Sequence, residues 1–295
     1  MKFETKGIGT TWWIEIFDEK VDPEVEQQII AHIDAFEKAY SRFIPTSFVS
    51  KLNNKKVLRD FPSELFSMIS YCQSISELTD FRFNVCSGSI QKSNGYDETY
   101  SFTEKPLPAL DDIRNGLVTL TKELIQIGDD IVIDLGGIGK GWLIDTIKLI
   151  IESRGYRFYS INGGGDIYAS SNHGKPVAFY MENPFDTTEY IGTVELFNAS
   201  FACSSPSRRA WETREGHRFH HLVDASQGKP AQSVQAVFCY GNTGLSADTA
   251  STCIFISPEQ ETVKIAESLE VEYLKVYPEG MYRMSEEFPG TMAEE

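Results

Sequence analysis

Positive charge is scarce in this chain. Its 295 residues hold 27 lysines and arginines against 43 aspartates and glutamates, a formal net charge of -16. That balance argues against a nucleic-acid backbone or an anionic membrane as the main partner. A small phosphorylated ligand stays compatible with it, because a magnesium ion neutralises phosphate locally and carboxylates are natural ligands for that ion. Long apolar runs are missing too: none approaches the roughly 18–20 residues that span a bilayer. The opening stretch, MKFETKGIGTTWWIEIFD, has no apolar signal core and no lipidation-type cysteine. Cysteine is sparse. Cys72, Cys86, Cys203, Cys239 and Cys253 are widely spaced and form no C-x-x-C. Neither a zinc knuckle nor a dithiol redox pair fits, which leaves reduced, mostly buried thiols and a cytoplasmic setting as the expectation. There is no internal repeat and no low-complexity segment.

Two familiar phosphate motifs are also absent. A P-loop needs G-x-x-x-x-G-K-[ST], but Gly141 and Trp142 follow Lys140. In a dinucleotide fingerprint running from Gly137 and Gly139, the third glycine would fall at Trp142.

What is present is a dense glycine pattern. IVIDLGGIGKGW leads from a strand-like run ending in Asp134, through Gly136, Gly137, Gly139 and Gly141, into a helix-like run from Trp142 to about Ser153. A second strand-like run, Phe158 to Ile161, ends in Asn162-Gly163-Gly164-Gly165-Asp166. Glycine lets backbone N–H groups approach an anion closely, and a helix N-terminus favours negative charge. Two such turns around one helix point to a phosphate-bearing ligand. Tight strand–helix packing without a ligand would use the same glycines.

The remaining pattern is mixed. The residues TTWWIEIF read as a first strand. Asp22-Pro23 opens a helix to about Tyr40, with Val25, Ile29, Ile33 and Phe36 on one face. A polar, proline-containing loop follows to Leu52-Asn53, then a second amphipathic helix over Ser63 to Leu78. Residues 92–112 read as a flexible loop or small insertion, and 115–135 as a hairpin turning at Gly128-Asp129-Asp130. Strand-like segments recur at 177–180, 190–196 and 234–240. Helical patterns follow at 245–256 and 259–269, with a last strand at 273–277. The acidic tail, 285–295, reads as frayed. Helices and strands interleave without a strict βαβ cadence, which predicts an α+β fold with mixed or antiparallel sheets and packed helices. The length fits one large domain or two ordinary ones.

Two further constellations carry candidate chemistry. HRFHHLVDASQGKP holds His217, His220 and His221. On a strand, His220 and His221 face opposite ways, so a shared metal ion would require distortion. A single histidine acting as general base, or a plain surface turn, are the other readings. In GLSADTASTCIFI, Asp248 and Thr252 fall on one face if the segment is helical, and offer part of an oxygen shell for a hard cation. A helix cap followed by a buried helix explains the same residues.

The order of these pieces resembles the FAD:protein FMN transferase family, often called ApbE. The resemblance runs from about residue 7 to about residue 258. It rests on Gly7-Ile8-Gly9-Thr10, Ser41-Arg42-Phe43 with Ser50-x-Leu52-Asn53, DLGGIGKGW with Asp145 downstream, INGGGDI, HHLVDASQGKP and SADTAST. It implies an ApbE-like, T-fold-related architecture: a single catalytic domain over 1–295 that can divide into two lobes. It implies a Mg²⁺-dependent enzyme that splits FAD and attaches the FMN half by a phosphoester to a serine or threonine of a target flavoprotein, releasing AMP. No nucleic acid and no membrane span enter this picture.

By the same resemblance Asp248 and Thr252 match metal-ligand positions, with a backbone carbonyl at or near Gly139 as a third. Lys140 and Asp145 match positions that contact the nucleotide. His221 matches a histidine proposed as base or positioning group, so His221 and Asp248 are the expected catalytic residues. Thr10, Asn53, Gly164, Ser204, Ser205 and Asp224 complete the expected FAD contacts. Gly139 stands where alanine is frequent and Trp142 where tyrosine is. Pro206 replaces a usual glycine, and Asp224-Ala225-Ser226 a usual Asp-Pro. The same residues would also serve an FAD pyrophosphatase, with water in place of the protein hydroxyl, or a non-catalytic FAD-binding protein. Targets in this family carry the acceptor after Gly-Ala. This chain contains no Gly-Ala-Ser or Gly-Ala-Thr, so it is expected to act on a partner.

Overall fold

The computed structural model describes residues 1–293. The chain opens with a hairpin, β1 (Lys2–Gly7) and β2 (Thr10–Ile16), then α1 (Pro23–Tyr40), α2 (Phe48–Lys55), β3 (Val57–Leu58), α3 (Ser63–Leu78), α4 (Gly88–Ser93) and α5 (Leu110–Arg114). Next come β4 (Leu117–Leu120), β5 (Ile125–Ile127), α6 (Gly139–Ser153), β6 (Tyr159–Gly163), β7 (Asp166–Ser170), β8 (Val177–Glu182), β9 (Tyr190–Leu196) and β10 (Ala199–Ser204). Short strands β11 (Ala210–Glu212), β12 (Arg218–His220), β13 (Val223–Asp224) and β14 (Lys229–Pro230) lead to β15 (Ala236–Gly241). The chain closes with α7 (Gly244–Ile256), α8 (Thr262–Ser268), β16 (Val271–Val276), β17 (Tyr282–Met284) and β18 (Gly290–Met292).

Eight strands form one sheet in the order β1-β2-β6-β7-β10-β15-β16-β17, and every neighbouring pair is antiparallel. Side chains alternate across a pleated strand, and here the alternation feeds two cores. Along β7 and β15, Ile167, Ala169, Ala236 and Phe238 enter one core, while Tyr168, Val237 and Cys239 enter the other. The first core is closed by a small sheet in the order β18-β9-β8, through Met181, Val194 and Leu196. The second lies under the helices and takes in Ile29, Ile33, Ile69, Leu143 and Ile254. This α+β, antiparallel architecture is the one the interleaved pattern predicts.

Helix α1 begins where cap chemistry directs. Asp22 accepts from the Glu24 amide, Pro23 takes the first helical position, and Val25, Ile29, Ile33 and Phe36 are buried as their spacing predicts. Burying each such isoleucine contributes about 1.5–3 kcal/mol. Helix α7 differs: ten of its 13 residues are buried, so it runs through the interior instead of lying on it.

Several expectations need correction. The stretch before Asn53 is not all loop: the Ser47 hydroxyl accepts from the Ser50 amide and starts α2. The hairpin in 115–135 turns between β4 and β5, not at Gly128. The run IVIDL pairs mostly with side chains and loop backbone instead of joining a sheet. Ser89 Oγ accepts from the Val132 amide at 2.8 Å, and Asn53 clamps both the N–H and the C=O of Ile133, at 2.7 and 3.0 Å. Residues 92–112 are tied down: Asp97 accepts from the amides of Thr99 and Ser101 and pairs with Lys105 at 2.5 Å. Burial pushes the Asp97 carboxyl up, but these donors outweigh it and hold it well below the usual range. The tail is not frayed through its length, because β18 pairs with β9; Glu294 and Glu295 lie outside the described residues.

Candidate active site

A cleft of about 1160 Å³ opens where two hairpin tips, the start of α6 and one flank of α7 converge. One tip joins β1 to β2 through Ile8 and Gly9, the other joins β6 to β7 through Gly164 and Gly165. All four have positive φ, 45°, 73°, 70° and 105°. Two consecutive left-handed residues make the two-residue turn whose twist suits a hairpin, a conformation that glycine takes at three of the four positions and Ile8 takes at the fourth. A Cβ at Gly164 would overlap the Thr10 side chain, so the two tips are packed against each other. The NGGGD turn is thus a hairpin turn. Gly141 serves helix packing: a Cβ there would strike the carbonyl of Gly244 and lie 2.8 Å from the Asp248 Cβ. Gly136, Gly137 and Gly139 line the cleft. The packing reading therefore holds for Gly141 and Gly164.

A buried charge cluster forms the cleft's floor. Lys140, the second residue of α6, places its ammonium between Asp166 of β7 and Asp248 of α7, the latter at 3.0 Å. Asp166 and Asp248 are each 2% exposed. The other oxygen of Asp248 accepts from the Gly141 amide at 2.8 Å, and Asp166 accepts from the Cys203 amide at 3.3 Å. Burial pulls the Lys140 ammonium down, but the two carboxylates outweigh it and hold it above its ordinary value. Burial raises Asp166 above the usual carboxylate range against the pull of Lys140, and the nearby Asp248 carboxylate adds to the rise. One turn beyond Asp248, the Thr252 hydroxyl is 3.1 Å from that of Ser204, which also meets Ser251 at 2.9 Å. The cluster thus presents carboxylate and hydroxyl oxygens, the donors a hard cation takes.

Across the cleft, His221 follows directly on β12. Its Nδ1 lies 3.2 Å from the Arg209 carbonyl. A carbonyl only accepts, so Nδ1 carries the proton and Nε2 keeps its lone pair. Burial pushes the imidazole down to about 3, so it is neutral near pH 7. His220 turns away, with Nε2 2.9 Å from the Ala231 carbonyl and its ring edge-on to Phe255. Among the described residues, no group of three or more His, Cys, Asp or Glu side chains converges as a metal cage.

Of the predicted site residues, Thr10, Gly139, Lys140, Gly164, Ser204, Ser205, His221, Asp248 and Thr252 share this cleft. Asn53, Asp145 and Asp224 lie outside its lining. Asn53 is the clamp on Ile133. Asp224 holds its own turn, accepting from the Ser226 amide at 2.9 Å and from Gln227 Nε2 at 2.9 Å. Asp145 accepts from the amides of Gly244 and Leu245 at 2.8 and 2.9 Å, and so caps α7 from a neighbouring helix. Asp145→Ala is expected to cost about 1–2 kcal/mol of stability by uncapping α7, read as a lower urea midpoint at unchanged m value. An unchanged midpoint would contradict the capping role.

Three groups at or beside the cleft carry no site role in the sequence reading. Asp166 closes the NGGGD turn and was legible as a carboxylate beside glycines. Arg42 pairs with Asp134 and donates to Gln91 Oε1 at 3.0 Å and to the Tyr96 carbonyl at 2.9 Å. Tyr96 and Tyr100, from the segment read as a flexible loop, line the cleft beside Phe43.

The family model that matches this sequence is that of the ApbE family, over residues 8–275. The chain belongs to the ApbE family. The FAD:protein FMN transferase of Escherichia coli K12 is 24% identical over 292 residues, covering 93% of this chain and 82% of that protein. That of Salmonella typhimurium LT2 is 22% identical over 296 residues, covering 94% and 84%. The ApbE protein of Thermotoga maritima MSB8 shares the fold at TM-score 0.85 and 21% identity, covering 98% of this chain and 97% of that one. The flavin transferase ApbE of Vibrio cholerae does so at TM-score 0.79 and 18% identity, covering 98% and 97%. The span matched by the ApbE family contains both hairpin tips, the charge cluster, His221 and all of α7. Within this ApbE-family fold, Pro206 opens a single 3-10 turn, Pro206–Arg208, and Ser204 and Ser205 still line the cleft. Among the described residues, no helix is long and apolar enough to cross a membrane.

Proposed function

We propose that this chain cleaves FAD and transfers its FMN half to a serine or threonine hydroxyl of a target flavoprotein, releasing AMP. The observation that carries the proposal is the joint placement in one cleft of a buried acid–hydroxyl cluster and a neutral histidine with a free Nε2. Family membership and the activity for which the relatives are named support it. The cleft volume exceeds the roughly 300–1,000 Å³ of ordinary small-ligand pockets, which suits a dinucleotide met by a segment of a second protein.

Phosphoryl-type transfer relies on positioning and charge neutralisation more than on covalent work by side chains. The residues present fit a magnesium ion, because Asp248, Thr252 and the Gly139 carbonyl are hard oxygen donors. As the first residue of α6, Gly139 aims that carbonyl along the helix, yet it retains a second lone pair. Bound there, Mg²⁺ would supply charge neutralisation of the diphosphate. The protein's own residues do the rest. Lys140 pairs with Asp248 and fixes its orientation. His221 Nε2 takes the proton of the acceptor hydroxyl as its oxygen bonds to the FMN phosphorus. The bond from that phosphorus to the AMP oxygen breaks, and AMP leaves with the electron pair.

The test is incubation with FAD, Mg²⁺ and a target flavoprotein domain, read by intact-protein mass. The expected product is a target heavier by one FMN through a phosphoester, with one AMP released per transfer. Release of FMN and AMP at the same rate without any acceptor would replace the transferase reading with a pyrophosphatase.

A further inference from the structure

His221 sits at the end of a weakly supported element. Strands β11 and β12 pair only with each other, in the register Ala210↔His220, Trp211↔Phe219 and Glu212↔Arg218. An isolated two-stranded ribbon is marginal in water. Both partners of the hydrogen bond that sets the His221 tautomer lie at the root of this ribbon. Arg209 immediately precedes β11, and His221 immediately follows β12. A tilt of the ribbon therefore moves the imidazole.

At its root His220 meets the Ala231 carbonyl and Arg209 donates to the Gly9 carbonyl at 3.2 Å; beyond the root the ribbon is gripped by the segment between α4 and α5. The Trp211 ring stacks on Tyr96 at 4.9 Å and 22°, and its Nε1 donates to the Asn94 carbonyl at 2.8 Å. The Arg214 amide donates to the Phe102 carbonyl at 2.8 Å. Glu104 Oε1 accepts from the Thr213 hydroxyl at 2.8 Å and lies 2.6 Å from His217 Nδ1. Gln91 of α4 reaches the His221 carbonyl at 3.3 Å. The gripping segment is itself fixed through Asp97. It holds Tyr100 and Phe102 at φ 51° and 49°, a left-handed backbone that aromatic residues keep only where their surroundings impose it. Trp211 and Glu104 do not line the cleft.

We infer that residues 94–105 form a brace for the β11–β12 ribbon, and that Trp211 and Glu104 are positioning residues that fix His221 for the proposed transfer. The inference rests on that functional reading, and it assigns a role to the segment whose sequence alone reads as a loop.

The test uses the full chain with ¹⁵N-labelled histidine, as wild type, Trp211→Ala, Glu104→Ala and Glu104→Gln. Long-range ¹H–¹⁵N correlation of the His221 ring should show a fixed Nδ1–H tautomer in the wild type and a shift towards a tautomer mixture in both alanine variants. Glu104→Gln keeps an acceptor oxygen and should restore the wild-type signal. With FAD, Mg²⁺ and acceptor present, kcat should fall about tenfold or more in the alanine variants, within the contribution typical of a positioned base. The dissociation constant for FAD should stay within about twofold of wild type, since neither residue touches the cleft. Trp211 is partly buried; should its alanine variant unfold, Glu104→Ala alone decides. An unchanged His221 ring signal in the folded alanine variants would overturn the brace, as would a loss of FAD affinity matching the loss of kcat. If wild-type protein transfers no FMN, the transferase reading fails, and the ring signal still decides the brace.

Discussion

Asp248→Asn should reduce FMN transfer by about 10³-fold, at the upper end for removing one preorganised charge-stabilising group. The fold should survive the change. The asparagine oxygen can still accept from the Gly141 amide, as Asp248 does at 2.8 Å, while its NH2 cannot accept from Lys140 and that one bond is lost. The Lys140 ammonium keeps Asp166 as its counter-charge, so no buried cation is left unpaired. The effect should therefore appear in turnover and in magnesium-dependent FAD binding, with a thermal midpoint close to wild type. Retention of more than about a tenth of wild-type turnover would remove Asp248 from the proposed machinery.

Gly141→Ala should damage both stability and turnover through a single methyl group. The added Cβ has no room, since the Gly244 carbonyl and Asp248 Cβ occupy the space. Overpacking of this kind costs about 1–3 kcal/mol, occasionally more. Here it must also separate α6 from α7 and so carry Asp248 away from Lys140. Gly155 is the matched control: its φ is +89°, but no atom lies within 4 Å of the place its Cβ would take. Gly155→Ala should cost about 1–2 kcal/mol for the left-handed backbone and leave turnover intact. The comparison is read from urea midpoints alongside FMN transfer. Equal turnover in the two variants would show that the helix crossing does not position the site.

The α1 and α3 faces were legible in the sequence because a half-buried helix repeats its apolar residues every three or four positions. Strands β7 and β10 were not. Every residue of β7 is buried, and all but Cys203 of β10, so neither shows the alternation that marks a half-exposed strand. IVIDL misled for the opposite reason. Its β-branched residues read as a strand, yet Asn53 and Ser89 satisfy its backbone in place of a sheet neighbour. The order of motifs brought most of the cleft together in advance, because DLGGIGKGW, NGGGD and SADTAST each contribute a residue to one charge cluster. The same order could not separate a residue that faces a ligand from one that holds the residue that does. Asp145 illustrates this: its carboxylate is spent on two amides of α7, a contact between segments about a hundred residues apart that no local spacing encodes.

Helix α7 carries Asp248 and Thr252 through the interior with ten of its 13 residues buried. Freeing its backbone amides to solvent requires parting the helical layer from the large sheet, an opening close to complete unfolding. In deuterated buffer these amides should be among the last to exchange, while those of residues 94–105 and the β11–β12 ribbon exchange earlier. The proposed catalytic floor is therefore a fixed anvil, and any adjustment that would let the proposed acceptor approach belongs to the rim.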